Sequence, residues 1–285
     1  MNDKIILPIS VVIATLGDKC LLKTLTILNS KIYIPFEILV CIPSELKSNV
    51  TNIEFTNVKK IFTNYFGQVL QRSEGFKSVS QDFVLQLDDD LQFDGDSLLN
   101  LYKELTKLDN YSAIGPQYYN INRNKFCYEN MKGINKIESY IIEFFIGGSK
   151  FGKNRMGTIS KSGNNFGYDI NYMKKDTIKV DWLAGGCVLH HKKNLITINY
   201  YPFSGKAYCE DLMHSYLLNK NNINLYLTKN AICSLEDTLE PTTPLEVLRE
   251  KTARCYLLIL NNGSITRYRL RRFFWAFLYK LKNII

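Results

Sequence analysis

Short apolar runs alternate with segments of helical period through the N-terminal third of the chain. Residues 9–14, 36–42, 58–62 and 82–87 read as strands, and 19–29, 67–80 and 98–108 as helices, with a further strand at 111–114. This rhythm predicts an α/β fold with a mainly parallel sheet covered on both faces. Right-handed crossovers then bring the carboxyl ends of the strands to one rim, where Thr15, Pro43 and Asp88 would lie. From 147 to 168 the periodicity fades into six glycines among Lys, Asn and Ser, a surface loop or a substrate-facing lid. Gly147-Gly148-Ser149-Lys150-Phe151-Gly152-Lys153-Asn154 comes close to a phosphate-binding loop there. It has Asn154 at the Ser/Thr position, and no helical pattern follows.

The rim carries an unusual charge. Asp88-Asp89-Asp90 directly follows the apolar strand 82–87, and three adjacent carboxylates repel one another. A solvated loop would tolerate them, and a hard divalent cation would require them. Their place at a strand's carboxyl end favours the cation, because open α/β sheets bind ligands there. A calcium loop starting at Asp90 fails at its twelfth position, Leu101, where a bidentate Glu is needed. Asp94-Gly95-Asp96-Ser97 reads instead as a turn before the next helix.

A second acidic pair, Glu210-Asp211, opens the amphipathic segment 212–219. Acidic residues suit a helix's first turn, and one held rigidly at a cleft can also serve as a general base. Upstream, a strand leads into Trp182-Leu183-Ala184-Gly185-Gly186; the glycines permit close backbone approach and the indole offers a face to a sugar ring. His190, His191 and His214 form no metal-ligand spacing, and His214 reads as a surface or capping residue. Seven scattered cysteines without a C-x-x-C pair argue for a reducing compartment rather than a disulfide framework or zinc site.

In this order the motifs resemble those of the family 2 glycosyltransferases of the GT-A fold, over about residues 9–230. The resemblance rests on Ser10-Val11-Val12-Ile13-Ala14-Thr15, Gly67-Gln68-Val69-Leu70-Gln71-Arg72, Leu87-Asp88-Asp89-Asp90, Trp182 to Gly186, and Glu210-Asp211. It implies a Rossmann-like, mixed, mainly parallel sheet flanked by helices, and transfer of a sugar from a nucleotide-diphosphate donor with inversion. Residues 1–260 would form the catalytic domain, with a donor half at 1–116 and an acceptor half at 117–260. By the family's pattern Ala14, Thr15, Arg72, Asp88 and Asp89 would hold the nucleotide-sugar. Asp90 and Asp88 would bind Mn²⁺ or Mg²⁺, and Trp182, Gly185, Gly186 and Glu210 would face the acceptor. Asp211 would be the general base. UDP-sugar is the first expectation for the donor, and a saccharide or lipid-linked saccharide for the acceptor. A nucleotidyltransferase and a catalytically inactive scaffold are the alternatives. Two departures stand out. Ile42 and Pro43 occupy the position of the family's usual paired aspartates, leaving Ser44 or Glu45 as substitutes. No His follows the acidic helix, where Glu236 or Asp237 could act as an oxygen ligand.

The net charge of +9 is concentrated at the C-terminus, where residues 264–285 hold six basic and no acidic side chains. A nucleic-acid-binding protein would spread such charge over a face, so no nucleic-acid partner is expected. The basic segment 261–285 also carries dense aromatics. It predicts an amphipathic helical extension lying on an anionic membrane surface through 264–285, or else a helix packed on the domain. No apolar run reaches the roughly 18–20 residues of a spanning helix. The expected location is cytoplasmic, peripheral on the inner face of the cell membrane, with a role in bacterial surface polysaccharide synthesis.

Overall fold

A computed structural model describes residues 4–93, 96–128, 134–236 and 243–282. The N-terminal βαβ rhythm forms as β1 (Ile5–Ala14), α1 (Lys19–Ser30), β2 (Tyr33–Pro43), β3 (Val58–Thr63), α2 (Gln68–Ser78) and β4 (Phe83–Leu87). A short β5 (Leu91–Phe93) precedes α3 (Ser97–Thr106), which leads into β6 (Ser112–Asn120) and β7 (Lys125–Phe126). Then follow α4 (Ile134–Phe145), β8 (Thr177–Val180), β9 (Cys187–His191), α5 (Glu210–Lys220), β10 (Asn224–Leu235), α6 (Pro244–Leu260) and α7 (Ile265–Lys282).

The strands form one sheet in the order β3-β2-β1-β4-β9-β6-β10-β5. The β3-β2-β1-β4 half is parallel throughout, as the continuous apolar strands predict. Beyond it the sheet is mixed, because β9 runs antiparallel between β4 and β6. β10 pairs parallel with β6, while β5 and β8 lie antiparallel against β10. Thr15, Ser44 and Asp88 thus follow the carboxyl ends of three parallel strands on one rim, which positions the site. The turn expected at 94–97 falls partly outside the described residues, since Asp94 and Gly95 are not described; Asp96 caps α3 without a side-chain hydrogen bond.

Helical period decides what packs on the sheet. α1 buries Leu21, Leu25 and Leu28 along one stripe, and α3 buries Leu98, Leu101 and Leu105. α2 comes unusually close: a β-carbon on Gly75 would sit 2.5 Å from Val12 Cγ1 and 2.6 Å from Cys41 Sγ. Gln71, one turn earlier, donates to the carbonyls of Thr15 and Cys41, both at 2.8 Å, and so fixes the ends of β1 and β2 together.

The strands and helices fall into two compact units. The sheet with α1, α2, α3 and α5 forms one, and α4, α6, α7 and the glycine-rich loop form the other. The basic C-terminal segment shares its unit with α4 and α6. The loop between 147 and 168 is not free, and it holds one 3-10 turn at Gly152–Arg155. Hydrogen bonds Ser162 N to Gly147 O (2.9 Å), Gly157 N to Phe166 O (2.9 Å) and Ser160 N to Asn164 O (2.8 Å) cross-link it.

One buried carboxylate stitches the parallel half. Glu37, in β2, accepts from Ser10 Oγ (2.6 Å), Ser80 N and Oγ (both 2.7 Å) and Lys59 Nζ (2.7 Å). Burial opposes its charge, but the hydrogen bonds from Lys59, Ser10 and Ser80 outweigh it and hold the carboxyl at about 2. Its stabilisation is therefore present above the unfolded value of 4.5 and is lost as pH falls from there through about 2. Glu37→Ala should cost roughly 2–3 kcal/mol at neutral pH by leaving Ser10 and Ser80 donors unpaired. Urea unfolding near neutrality and near pH 3 checks this: the deficit should shrink in acid, and an unchanged deficit would mean that packing rather than charge accounts for it.

Candidate active site

A cavity of about 530 Å³ opens at the rim, between the ends of β1 and β4 and the segment before α5. Its walls include Ala14, Thr15, Asp88, Asp89 and Asp90, five of the residues predicted from the sequence. Thr15 Oγ1 donates to Asp89 and accepts from Gly17 N at 2.9 Å, so the end of β1 holds the middle carboxylate. Thr24 of α1 donates to the carbonyls of Asp89 (2.7 Å) and Leu91 (3.0 Å), fixing the backbone of the triplet. Burial, followed by the charges of Asp88 and Asp89, pushes the Asp90 carboxyl up to about 6, and burial also raises Asp89. This is an under-neutralised negative site facing a cavity.

Arg72 connects this triplet to the second acidic pair. It projects from α2 and is only 2% exposed, donating from Nη2 to Asp88 Oδ1 and from Nη1 to Glu210 Oε2 at 3.2 Å. Burial opposes its charge, yet Asp88 and Glu210 together hold it above its ordinary value. Both terminal nitrogens therefore carry carboxylates, and Arg72 bridges the two acidic elements. Gln68, one turn earlier, donates to the same Asp88 Oδ1 at 2.9 Å.

The glycine pair explains how the two acidic elements come so close. A β-carbon on Gly186 would stand 2.9 Å from Asp88 Oδ2, and one on Gly185 would stand 2.9 Å from Glu210 Oε2 and 3.2 Å from Asp211 Cβ. Asp88 N donates to Gly186 O at 2.7 Å, and Gln86 Nε2 donates to Gly185 O. Asp211 is half-buried at the start of α5, its Oδ1 accepting from Leu212 N at 2.9 Å. Glu210, Asp211, Gly185 and Gly186 adjoin the triplet through these contacts without lining the cavity wall. Trp182 is 5% exposed and packed within the protein, so the indole face expected to meet a sugar is covered.

Several wall residues escaped sequence reasoning. Phe66, Gln68, Gln71, Asp18 and Lys206 all line the cavity. Lys206 follows Gly205, whose φ of +83° turns the chain ahead of α5, and its cation lies near enough to lower Asp90 slightly. A glycine-lysine step just before the acidic pair was the available signal. Ser44 donates to Thr63 O at 3.0 Å and Glu45 is exposed; neither lines the cavity. Glu236 is bridged to Lys23 at 2.5 Å on the surface, and Asp237 lies outside the described residues.

Among the described residues no three His, Cys, Asp or Glu side chains converge into a metal cage. The donor set nevertheless suits a magnesium-like ion, which takes one or two carboxylates and completes its shell with substrate phosphates and water. Asp90 faces the cavity, and Asp88 has one oxygen engaged by Arg72 and Gln68.

Behind the site lies a buried aromatic stack. Tyr200 donates to Glu210 Oε1, and its ring stacks on His214 at 5.6 Å and 7°. His214 in turn lies 5.5 Å from the buried His190. The surface or capping role expected for His214 is thus corrected: the ring is buried because α5 turns that face onto β9. Burial and then Arg72 depress His214 to about 3, and burial and then His214 depress His190 well below its usual range.

The glycosyl transferase family 2 description matches residues 10–172. No curated protein matches. The fold is similar to that in a crystal structure of GalNAc-T7 with UDP, GalNAc and Mn²⁺, with a TM-score of 0.56 and 16% identity over 81% of this chain. The match takes in 43% of that protein's chain, so this chain spans less than half its length.

The buried histidines give the site a pH signature. They stay neutral in the fold while the unfolded chain takes up protons below 6.5, so stability is complete above 6.5 and is lost as pH falls toward 3. His214 should contribute a slope of about 1.4 kcal/mol per pH unit over that window, and His190 acts in the same direction. His214→Phe, which keeps an aromatic stack, should remove one histidine's share between about pH 6.5 and 5. Urea titrations of both proteins measure it, and parallel slopes would clear His214 of the effect.

Proposed function

Since the chain belongs to glycosyl transferase family 2, we propose that it moves a sugar from a nucleotide-diphosphate donor to an acceptor hydroxyl with inversion at the anomeric carbon. The observation that carries this reading is the seam itself: a carboxylate-lined cavity joined, through Arg72 and a glycine pair, to a second acidic pair. Phe66 and Leu16 give the cavity an apolar wall suited to a base, and Thr15, Asp88 and Asp89 a polar one suited to a ribose. Asp90 and the free oxygen of Asp88 would hold Mn²⁺ or Mg²⁺, which supplies positive charge against the departing diphosphate. Lys206 adds a cation of the protein's own on the same wall, where it would bind the same oxygens.

Asp211 is the general base in this proposal. Its neighbour Glu210 is held at both oxygens, by Arg72 and Tyr200, so the start of α5 cannot drift. A proton taken from the acceptor hydroxyl would reside on Asp211 while the oxygen attacks the sugar from the face opposite the leaving group. Glu210 is then a positioning residue, since its carboxylate is engaged by Arg72 and Tyr200.

The finer assignment is part of the same proposal. The donor is taken to be a UDP-sugar first, as the similar solved structure contains UDP and GalNAc. The acceptor is a saccharide or lipid-linked saccharide, in bacterial surface polysaccharide synthesis at the cytoplasmic face of the membrane. The cationic aromatic C-terminal unit supports that setting. Among the described residues no helix is long and apolar enough to cross a membrane.

A thermal-shift screen of UDP, GDP, dTDP and CMP, each with and without Mn²⁺, tests the donor site by mass action. One nucleotide should raise the melting temperature in a metal-dependent way, and Asp90→Ala should abolish that shift. Lys206→Ala should weaken the same nucleotide by roughly tenfold. No shift with any nucleotide would defeat the donor-site assignment. For the chemistry, Asp211→Asn should lower transfer by about 10²–10⁴-fold while leaving the nucleotide shift intact. Near-normal transfer would remove Asp211 from the role. Gly186→Ala should lower transfer by about 10²-fold, because the new methyl displaces the Asp88 carboxylate.

A further inference from the structure

The unit built from α4, α6 and α7 is turned inside out. Along α4 the outward stripe is Ile137, Ile141, Phe144 and Phe145, all exposed, with Phe145 at 68%. These positions follow the i, i+4, i+7, i+8 spacing that ordinarily marks a helix's buried face. The face that is buried instead carries Ser139 and Glu143, the latter only 2% exposed.

α7 repeats the inversion. Its outward stripe is Leu270, Phe273, Phe274 and Phe277, with Phe273 at 66% exposure and stacked on Phe277 at 6.4 Å. Its inward side is basic. Arg271 Nε donates to both oxygens of Glu143, at 2.7 and 2.9 Å, and Trp275 Nε1 donates to the same carboxylate at 3.2 Å. Arg267 Nη1 donates to the carbonyls of Phe145 (2.8 Å) and Ile146 (3.1 Å), closing the end of α4. Polar pairing thus spends the ions on the inside and leaves the aromatics in contact with solvent.

Exposed apolar stripes of this kind on two neighbouring helices are not what water selects, and they mark a surface that meets something apolar. The charges say what. Arg269, Lys280 and Lys150 are exposed in the same unit, and residues 264–285 contain no acidic side chain. Phe151, next to Lys150, packs edge-on to Phe144 at 5.5 Å and extends the aromatic surface. Apolar stripes with exposed cations match an anionic bilayer interface, with rings in the acyl boundary and cations at the headgroups.

We propose that α4 and α7, clamped together by Glu143, form a two-helix device that docks this chain on an anionic lipid bilayer. The basic C-terminal helix alone would be the simpler anchor; the inverted stripe of α4 makes it a shared one. Glu143 sets the direction of both stripes by drawing Arg271 and Trp275 of α7 inward. The device does not depend on the glycosyl-transfer reading, because lipid binding is measured without donor or acceptor.

The test is co-sedimentation of the full chain with phosphatidylcholine vesicles, with and without phosphatidylglycerol. The protein should bind the anionic vesicles and release at high salt. Phe144→Ser with Phe145→Ser should lower the partition coefficient by roughly tenfold or more, as should Phe273→Ser with Phe277→Ser. Each variant should keep the wild-type melting temperature, because the replaced rings are exposed. Arg269→Glu with Lys280→Glu should weaken binding to anionic vesicles only. Failure of the wild-type protein to bind anionic vesicles would overturn the proposal. Full binding by the α4 variant would overturn the shared device. A lipid-free dimer in light scattering that the phenylalanine variants dissolve would show that a second copy, not a bilayer, covers these stripes.

Discussion

A buried guanidinium between two carboxylates governs the arrangement of the site. Arg72 is enclosed by α2, β4 and the start of α5, and a lone cation there would be strongly unfavourable. Asp88 and Glu210 make it tolerable, and in doing so they are brought to one point although they come from opposite ends of the sheet domain's sequence. Removing either carboxylate would leave the charge under-compensated, a loss of about 3–5 kcal/mol in comparable buried pairs. The other contacts follow from this demand. Gly185 and Gly186 lack side chains because carboxylates occupy that space, and Tyr200 donates to Glu210 because its second oxygen must also be satisfied.

Much of the parallel N-terminal half was legible in the chain. Parallel strands buried on both faces are written as continuous apolar runs, and the helices between them carry clear stripes, so β1 to β4 with α1 and α2 lie within a few residues of their expected limits. The later half was less legible for physical reasons. β9 ends in two histidines, β5 has only three residues, and the β10 pairing with β6 shifts register between Leu227 and Ile232. None of these gives a clean period of two. The carboxylate triplet was visible because charge at the end of a buried strand is costly wherever it occurs. The part played by Arg72 was not, since spacing does not say which way a long side chain turns. The same limit hid Lys206.

The C-terminal unit carries a related lesson. Helical periodicity identifies an apolar stripe but not the side on which it will lie. For α4 and α7 that choice is made by a few polar contacts, chiefly one carboxylate accepting from Arg271 and Trp275. Along the sequence of the final segment, basic and aromatic residues are therefore mixed together. The contacts separate them, turning Arg267 and Arg271 inward and Phe273 and Phe277 outward.

The strand order also sets the sequence of events as the chain is made. Arg72 and Asp88 are 16 residues apart and lie in the parallel half, which can pair as soon as β4 has emerged. Glu210 lies 138 residues beyond Arg72, and β9 must slot between β4 and β6 before α5 can deliver it. Domains fold from the N-terminus during synthesis, and distant pairings form slowly because loop closure precedes their reward. A nascent chain therefore holds Arg72 against Asp88 long before Glu210 and Asp211 arrive beside them. The seam closes last, once the antiparallel β9 has entered the centre of the sheet.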